Sequence, residues 1–239
     1  MEAFAATDIG RVRTENQDSI FSSVQKVGHL PNLFLIADGM GGHKGGAHAS
    51  QSAVNIICDS IAGNEEYNPI KVMRQAIEGA NHKLYMESRQ DAELAQMGTT
   101  VVAMTVVGGY AYIANVGDSR MYLIGKGIYQ VTADHSYVQE MVRKGQITNE
   151  EAEQHPGKNY VTRVVGTERE VKVDFFEIKI EQGEYLLLCS DGLTNMLSNT
   201  RIHQILTTDE RLETKINRLI AEANERGGLD NISVIVVSW

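Results

Sequence analysis

The sequence predicts an α+β fold: a four-layer α-β-β-α sandwich, with two antiparallel sheets face to face and helix pairs outside. Three observations predict it. Short apolar runs are joined by tight Gly-containing turns, as in antiparallel hairpins. Amphipathic helical stripes come in pairs rather than alternating singly with strands, which argues against a Rossmann-type βαβ chain. Each pair has an apolar stripe to bury, and a sheet face is the surface that can take it. The 239 residues show no internal repeat, low-complexity stretch or break in composition, so one domain over 1–239 is the simplest organisation.

The elements follow in chain order. Phe4 and Ile20-Phe21 mark weak strands. Leu33–Ala37 is a continuous apolar run, as expected for a strand buried on both faces. Segment 47–62 reads as a helix ending near Gly63. Pro69 takes a first helical position after Asn68, and Ile70, Met73, Ile77, Ala80 and Leu84 then recur at helical spacing. Leu94–Gly117 carries no formal charge and exceeds the roughly 20 residues that span a bilayer. Its texture is that of a soluble hairpin, because the β-branched run Thr99–Val107 meets Gly108-Gly109 and then Tyr110–Ala114. Met121–Ile124 and Ile128–Val131 flank Gly125-Lys126-Gly127 as a second hairpin. A short helix is predicted from Ser136 to Lys144, and Thr148-Asn149-Glu150-Glu151 has capping-box spacing for the next. Val171–Ile180 alternates as a strand and turns at Gln182-Gly183-Glu184 into the buried run Tyr185–Cys189. Leu212, Ile216, Leu219 and Ala223 form a helical stripe that stops at Gly227-Gly228, and Ile232–Val237 is a last strand.

Composition excludes several functions. Hydrophobic residues are 42% and charged residues 22%, which rules out wholesale disorder. The net charge of −9 argues against duplex nucleic acid and against an anionic membrane surface as partners. The start, Met1-Glu2-Ala3-Phe4, has no basic or apolar leader, so no signal peptide is predicted and a cytoplasmic location is expected. Cys58 and Cys189 both sit in apolar runs and read as two buried thiols, not a disulfide.

The chemistry lies in the aspartates. Asp38-Gly39 follows the run 33–37, Asp191-Gly192 follows 185–189, Asp118 follows Ile113–Gly117, and Asp230-Asn231 precedes 232–237. In antiparallel sheets the end of one strand lies beside the start of its neighbour, so these four can converge on one sheet edge. Asp18, before Ile20-Phe21, can join them. A single Asp-Gly is ordinarily a turn; four placed alike at buried strand ends point to a site. Crowded carboxylates stay ionised together only with cations, and hard oxygen ligands suit Mg²⁺ or Mn²⁺. Zn²⁺ is disfavoured, because no Cys/His pair has finger or HExxH spacing. The loop Asp38–Gly46 fails both the P-loop and the GxGxxG patterns, Lys44 standing at the sixth position of the latter. Arg13 offers a guanidinium fork for phosphate oxygens, although alone it reads as a surface charge.

These residues resemble a known family. Thr7–Arg13 with Asn16-Gln17-Asp18, Asp38–His43, Gly98-Thr99-Thr100, Gly117-Asp118-Ser119-Arg120, Ser190-Asp191-Gly192 and Asp230-Asn231 are similar, in order, to the motifs of the metal-dependent PPM-type Ser/Thr protein phosphatases, the protein phosphatase 2C family. The likeness is greatest to compact bacterial members and covers nearly the whole chain. It implies two Mn²⁺ or Mg²⁺ ions and a weaker third. Asp38 would bridge the first two, the Gly39 carbonyl would bind one of them, and Asp191 and Asp230 the other. Asp18 would sit beside them, directly or through water. Asp118, with Asp191, would hold the third ion. Arg13 would clamp the phosphoryl group, and Asn231 would orient Asp230 and the neighbouring backbone.

The implied reaction is hydrolysis of phosphoserine and phosphothreonine in proteins by a water bridging the metals, without a phosphoenzyme. Met40 stands where eukaryotic members often carry His and cannot donate a proton; water on a metal is the preferred donor, with His43 a further candidate. Gln17 stands where such members often carry Glu. A cysteine phosphatase is excluded, because Asn195 occupies the Arg position of Cys-x5-Arg after Cys189. Segment 134–167 corresponds to the family's flap, with substrate choice as its role or a purely connecting one as the alternative. The expected partners are phosphorylated proteins, including a Ser/Thr protein kinase, with the enzyme itself a monomer. A non-catalytic phosphoprotein-binding module and a hydrolase of small phosphoesters are the competing functions.

Overall fold

A computed structural model describes residues 1–41 and 44–239. In chain order the strands are β1 (Glu2–Asp8), β2 (Asp18–Ser23), β3 (Leu33–Met40), β4 (Gly98–Thr99), β5 (Val101–Val107), β6 (Tyr110–Val116), β7 (Arg120–Ile124), β8 (Ile128–Gln130), β9 (Asp174–Lys179), β10 (Tyr185–Cys189) and β11 (Ile232–Ser238). The helices are α1 (Gly45–Ala62), α2 (Pro69–Gln90), α3 (Tyr137–Arg143), α4 (Asn149–Gln154), α5 (Asp191–Thr194), α6 (Asn199–Leu206) and α7 (Leu212–Glu225). Among the described residues one sheet runs β1-β11-β10-β7-β8 and the other β2-β3-β5-β6-β9, with β4 pairing β3; the strand pairs are antiparallel.

Three apolar clusters build the predicted four layers. Phe34, Ile36, Val102 and Met104 meet Leu186, Leu188, Ile235 and Val237 between the sheets. Leu33, Leu35 and Ala103 face Ala53, Ile57, Met73 and Ile77 of α1 and α2. Leu187, Val234 and Val236 face Ile202, Ile205, Ile216 and Leu219 of α6 and α7. Each central strand therefore buries both faces, which is why β3, β5, β10 and β11 are continuous apolar runs rather than alternating ones.

Most predicted elements stand where the residues placed them. Asn68 caps α2 through Lys71 N–H, with Pro69 next. Thr148 and Glu151 form the reciprocal capping box of α4. Gly108 and Gly109 take φ of 58° and 81° in the β5–β6 turn. Three readings are corrected. The strand predicted over 171–180 is shorter: Val171–Val173 leave the ladder, and the Lys172 carbonyl accepts from Arg163 Nη1 instead. β3 continues through Asp38 and Gly39 to Met40, because Gly39 and Met40 pair with Thr99 and Gly98. α6, with its cap Ser198, was not predicted; its eight residues are too few to display a clear period. No helix among the described residues is long and apolar enough to cross a membrane.

Asn32 pins the entrance to β3. Its Nδ2 donates to the Val106 carbonyl at 2.9 Å and its Oδ1 accepts from Val106 N–H at 2.7 Å, both buried. Asn32→Ala strands two buried backbone groups, each worth about 1–3 kcal/mol. The expected result is a melting temperature lower by several degrees with secondary structure retained, measured by circular dichroism; an unchanged melting temperature would refute this role.

Candidate metal centre

The antiparallel layout brings the predicted aspartates to one end of both sheets. In the first sheet, β10 ends at Cys189 beside the starts of β7 and β11, so Asp191 lies near Asp118 and Asp230. In the second, Asp18 at the start of β2 is the direct register partner of Asp38 near the end of β3. Asp118 follows β6, whose start pairs with the end of β5.

Hydrogen bonds hold the backbone of Asp38 and the carboxylates of Asp18, Asp191 and Asp230. Asp38 N–H donates to Thr100 Oγ1 at 3.0 Å, and its carbonyl accepts from Thr100 N–H and Thr99 Oγ1, both at 2.9 Å. Gly39 N–H donates to the Gln17 carbonyl at 3.1 Å. A Cβ on Gly39 would run into the Gly46 carbonyl of α1, so only glycine lets the helix start this close to the strand. Asp18 Oδ2 accepts from Ser190 Oγ at 2.8 Å, and Asp191 Oδ2 accepts from Asn195 Nδ2 at 2.9 Å. Asn231, predicted to orient Asp230, does more. Its N–H donates to Asp230 Oδ1, its Nδ2 donates to the Ile9 and Glu15 carbonyls, and its Oδ1 accepts from Gln17 N–H. It thereby ties the Arg13 loop to both sheets. Arg13 Nη2 meets Asp230 Oδ2 at 2.7 Å and is about half exposed. Ser190, Thr100 and Asn195 were not singled out from sequence as supports; their adjacency to the motifs was the available signal.

The electrostatics are those of unneutralised crowding. Burial, followed by neighbouring charge, pushes Asp18 and Asp118 up to about 7 and Asp191 up to about 6. Burial lifts Asp38 well above the carboxylate range, and Asp18, Asp191, Asp118 and Asp230 lift it further. Arg13 is raised as well, which there favours the charged form, mainly through the hydrogen bond to Asp230.

The donor set is all oxygen, and Asp18 Oδ1 is buried without a hydrogen-bond partner. Both features fit a divalent hard cation. The carboxylates share a field rather than one point: among the described residues no three His, Cys, Asp or Glu side chains already gather as ligands of a single ion. Arg13, Ser190 and Asn195 hold Asp230, Asp18 and Asp191 in the arrangement described. Gly42 and His43, the latter a candidate proton donor, lie outside the described residues.

Arg120 of the Gly117–Arg120 motif does not face the carboxylate cluster as a free cation. It is spent on Asp134, through Nε at 3.0 Å and Nη2 at 2.7 Å, and on the Tyr122 hydroxyl. The 134–167 segment contains α3 and α4 and is closed at its root by the bridge Ser136↔Val161. A polar cleft of about 760 Å³ lies between α2 and residues 161–173, and none of the predicted metal residues lines it.

In the metal-free protein the sign of the pH dependence follows from these shifts. Folding raises the affinity of Asp18, Asp118 and Asp191 for protons, so the folded state binds more protons than the unfolded one between about pH 4 and pH 7. Their contribution to stability is therefore lost as pH rises through that window. Asp18→Asn is expected to flatten the fall of melting temperature with pH in chelator and to raise it near pH 8, by about 2–4 °C for each kcal/mol of repulsion removed. A slope identical to that of the parent protein would contradict the crowding.

Comparison with known proteins agrees with this fold. Residues 10–226 match the family model described as Protein phosphatase 2C. The chain is 40% identical to the protein phosphatase PhpP of Streptococcus pneumoniae, over 100% of this chain and 97% of that one. The solved serine/threonine phosphatase of S. agalactiae is 41% identical with a TM-score of 0.92, covering 99% of this chain and 98% of that one. The catalytic domain of the serine/threonine protein phosphatase PstP, solved with two manganese ions, is 30% identical with a TM-score of 0.86, covering 98% and 96%.

Proposed function

The chain belongs to the protein phosphatase 2C family and is a metal-dependent protein-serine/threonine phosphatase, and we propose that it acts by direct attack of water at phosphorus, with no phosphoenzyme, around two Mn²⁺ or Mg²⁺ ions and a weaker third. The observation that carries this reading is the cluster of Asp18, Asp38, Asp118 and Asp191 at one end of the two sheets, each pushed towards protonation first by burial and then by neighbouring carboxylates, with Arg13 at the rim. When bound, the ions supply positive charge to the phosphoryl oxygens and acidify the water they hold.

The chain's own residues divide the remaining work. Asp38 and the Gly39 carbonyl would hold ions of the first pair from β3, and Asp191 and Asp230 would hold the second of that pair. Asp18 would stand beside them, directly or through water, and Asp118 would hold the third ion with Asp191. Arg13 is the phosphoryl clamp: its exposed guanidinium, tethered at Asp230, turns its fork onto two phosphoryl oxygens when substrate arrives. Asn231 keeps the Arg13 loop in register with Asp230 while this happens. Cys189 takes no part, since burial on β10 pushes its thiol up to about 12. The substrates are phosphorylated proteins, a Ser/Thr kinase among them, met by a monomeric cytoplasmic enzyme.

Chelator should abolish turnover of a phosphoserine peptide, and Mn²⁺ or Mg²⁺ should restore it; full activity in chelator would sink the metal reading. Turnover of small phosphoesters with none of phosphopeptides would make this a small-molecule hydrolase instead.

Arg13→Ala is expected to raise KM for phosphopeptide, with loss of about 1.5–3 kcal/mol in kcat/KM if its charged hydrogen bonds are removed. Arg13→Lys should recover part of that loss, a point charge replacing a fork. Unchanged kinetics in both variants would return Arg13 to the role of a surface charge.

A further inference from the structure

His135 is buried, lies outside the carboxylate cluster, and makes four contacts that fix its chemistry. Gly117 N–H donates to Nδ1 at 2.9 Å, and His135 N–H returns a bond to the Gly117 carbonyl at 2.9 Å. A backbone amide can only donate, so Nδ1 carries a lone pair and the ring proton sits on Nε2. That proton points to Asp174 Oδ2 at 3.0 Å. The His135 carbonyl accepts from Thr162 N–H at 2.7 Å. Arg163 Nη1 also lies 2.8 Å from Nε2, but two donors cannot bond; its bonds go to Asp174 Oδ1 at 3.0 Å and the Lys172 carbonyl at 3.2 Å. Asp174 thus bridges the imidazole and the guanidinium. Burial, with the Arg163 charge beside it, holds the imidazole below its usual value against the pull of Asp174, in keeping with a neutral ring.

The two sides of this ring lead to different places. On the Nδ1 side is the Gly117 turn, with φ of +107°, where an added Cβ would stand 2.5 Å from Thr100 Cγ2. Thr100 is the residue that holds Asp38 N–H, and Asp118 is the next residue after the turn. On the Nε2 side are Asp174 at the start of β9 and Arg163, while the His135 backbone itself stands at the root of the 137–160 excursion, which is closed by Ser136↔Val161, by Tyr137 N–H to the Tyr160 carbonyl and by Thr162 N–H to the His135 carbonyl. One imidazole therefore joins the root of the flap to the turn that carries Asp118.

We propose that His135, as its Nε2–H tautomer, is a positioning residue that fixes the Gly117 turn, and with it Asp118, to the root of the flap. The inference rests on the assignment of Asp118 to the metal centre, and the experiment separates the two. Asn and Gln each keep half of the ring's bonding. His135→Asn places an acceptor where Nδ1 was, and His135→Gln places a donor where Nε2 was.

In metal-free protein, ¹⁵N spectra of the ring should show Nδ1 unprotonated and Nε2 protonated. Gly117 amide exchange should be slow in the parent and in His135→Asn, and at least about tenfold faster in His135→Gln and His135→Ala, as expected when a buried bond worth about 1.4 kcal/mol or more is lost. With Mn²⁺, His135→Gln and His135→Ala should lower kcat on a phosphoserine peptide by about 10–100-fold, the range for residues that orient metal ligands, with KM little changed. His135→Asn should restore most of it. Combined with Asp118→Ala, the losses should not add, because both act through one carboxylate. A protonated Nδ1, equal amide exchange in Asn and Gln variants, or additive kinetic losses would each overturn the proposal. If Asp118→Ala itself turns over normally, the metal assignment is what fails, and amide exchange alone decides the positioning contact.

Discussion

Carboxylates collected at one end of two packed sheets repel one another in a medium that screens poorly, and the rest of the structure is arranged around that repulsion. Asp18 and Asp38 face each other across β2 and β3 because antiparallel register makes them partners. Asp191 and Asp118 approach from the other side because β10 and β7 run antiparallel and share an end. The burial that pushes these groups towards protonation is supplied by the same sheet-on-sheet core that makes the fold stable. Without cations, burial and crowding favour the protonated form of these acids, and the all-oxygen donor set they make fits a divalent hard cation. Stability and function are thus linked through one set of side chains.

Apart from the ion pair of Arg13 with Asp230, what keeps the acids in place is a frame of neutral hydrogen bonds. Thr99 and Thr100 grip both backbone groups of Asp38. Ser190 reaches Asp18 from the opposite sheet and is itself held by Ser233 N–H at 2.9 Å. Asn231 joins three loop carbonyl and amide groups to the start of β11. Neutral donors fix position without discharging the field, which leaves charge available for a metal. Arg13, paired with Asp230 of the cluster, keeps about half of its side chain exposed, whereas Arg120 is less exposed and paired with Asp134.

The same division separates what was legible from what was not. The layers, hairpins and paired helices were readable because their signals are local: Gly108-Gly109 at a turn, Pro69 at a helix start, the capping box at Thr148. The five aspartates were legible because each touches a strand end, and strand ends of antiparallel neighbours meet. Corrections fall where local signal is weak. α6 is too short to show a period, and Val171–Val173 alternate like a strand yet leave the ladder as Arg163 takes the Lys172 carbonyl.

By itself, the order of residues determined the fold class, the strand-end placement of Asp18, Asp38, Asp118, Asp191 and Asp230, and the family motifs that assign them chemistry. Only the tertiary structure decided which groups hold those acids, that Arg13 meets Asp230, that Arg120 is committed to Asp134, and that His135 stands between the root of the 137–160 excursion and the Gly117 turn. The reason is physical. Periodicity and turn chemistry act within a few residues, whereas Asp18 and Ser190 are far apart along the chain and become neighbours only when the two sheets pack face to face, and Arg13 and Asp230 only when β1 pairs with β11.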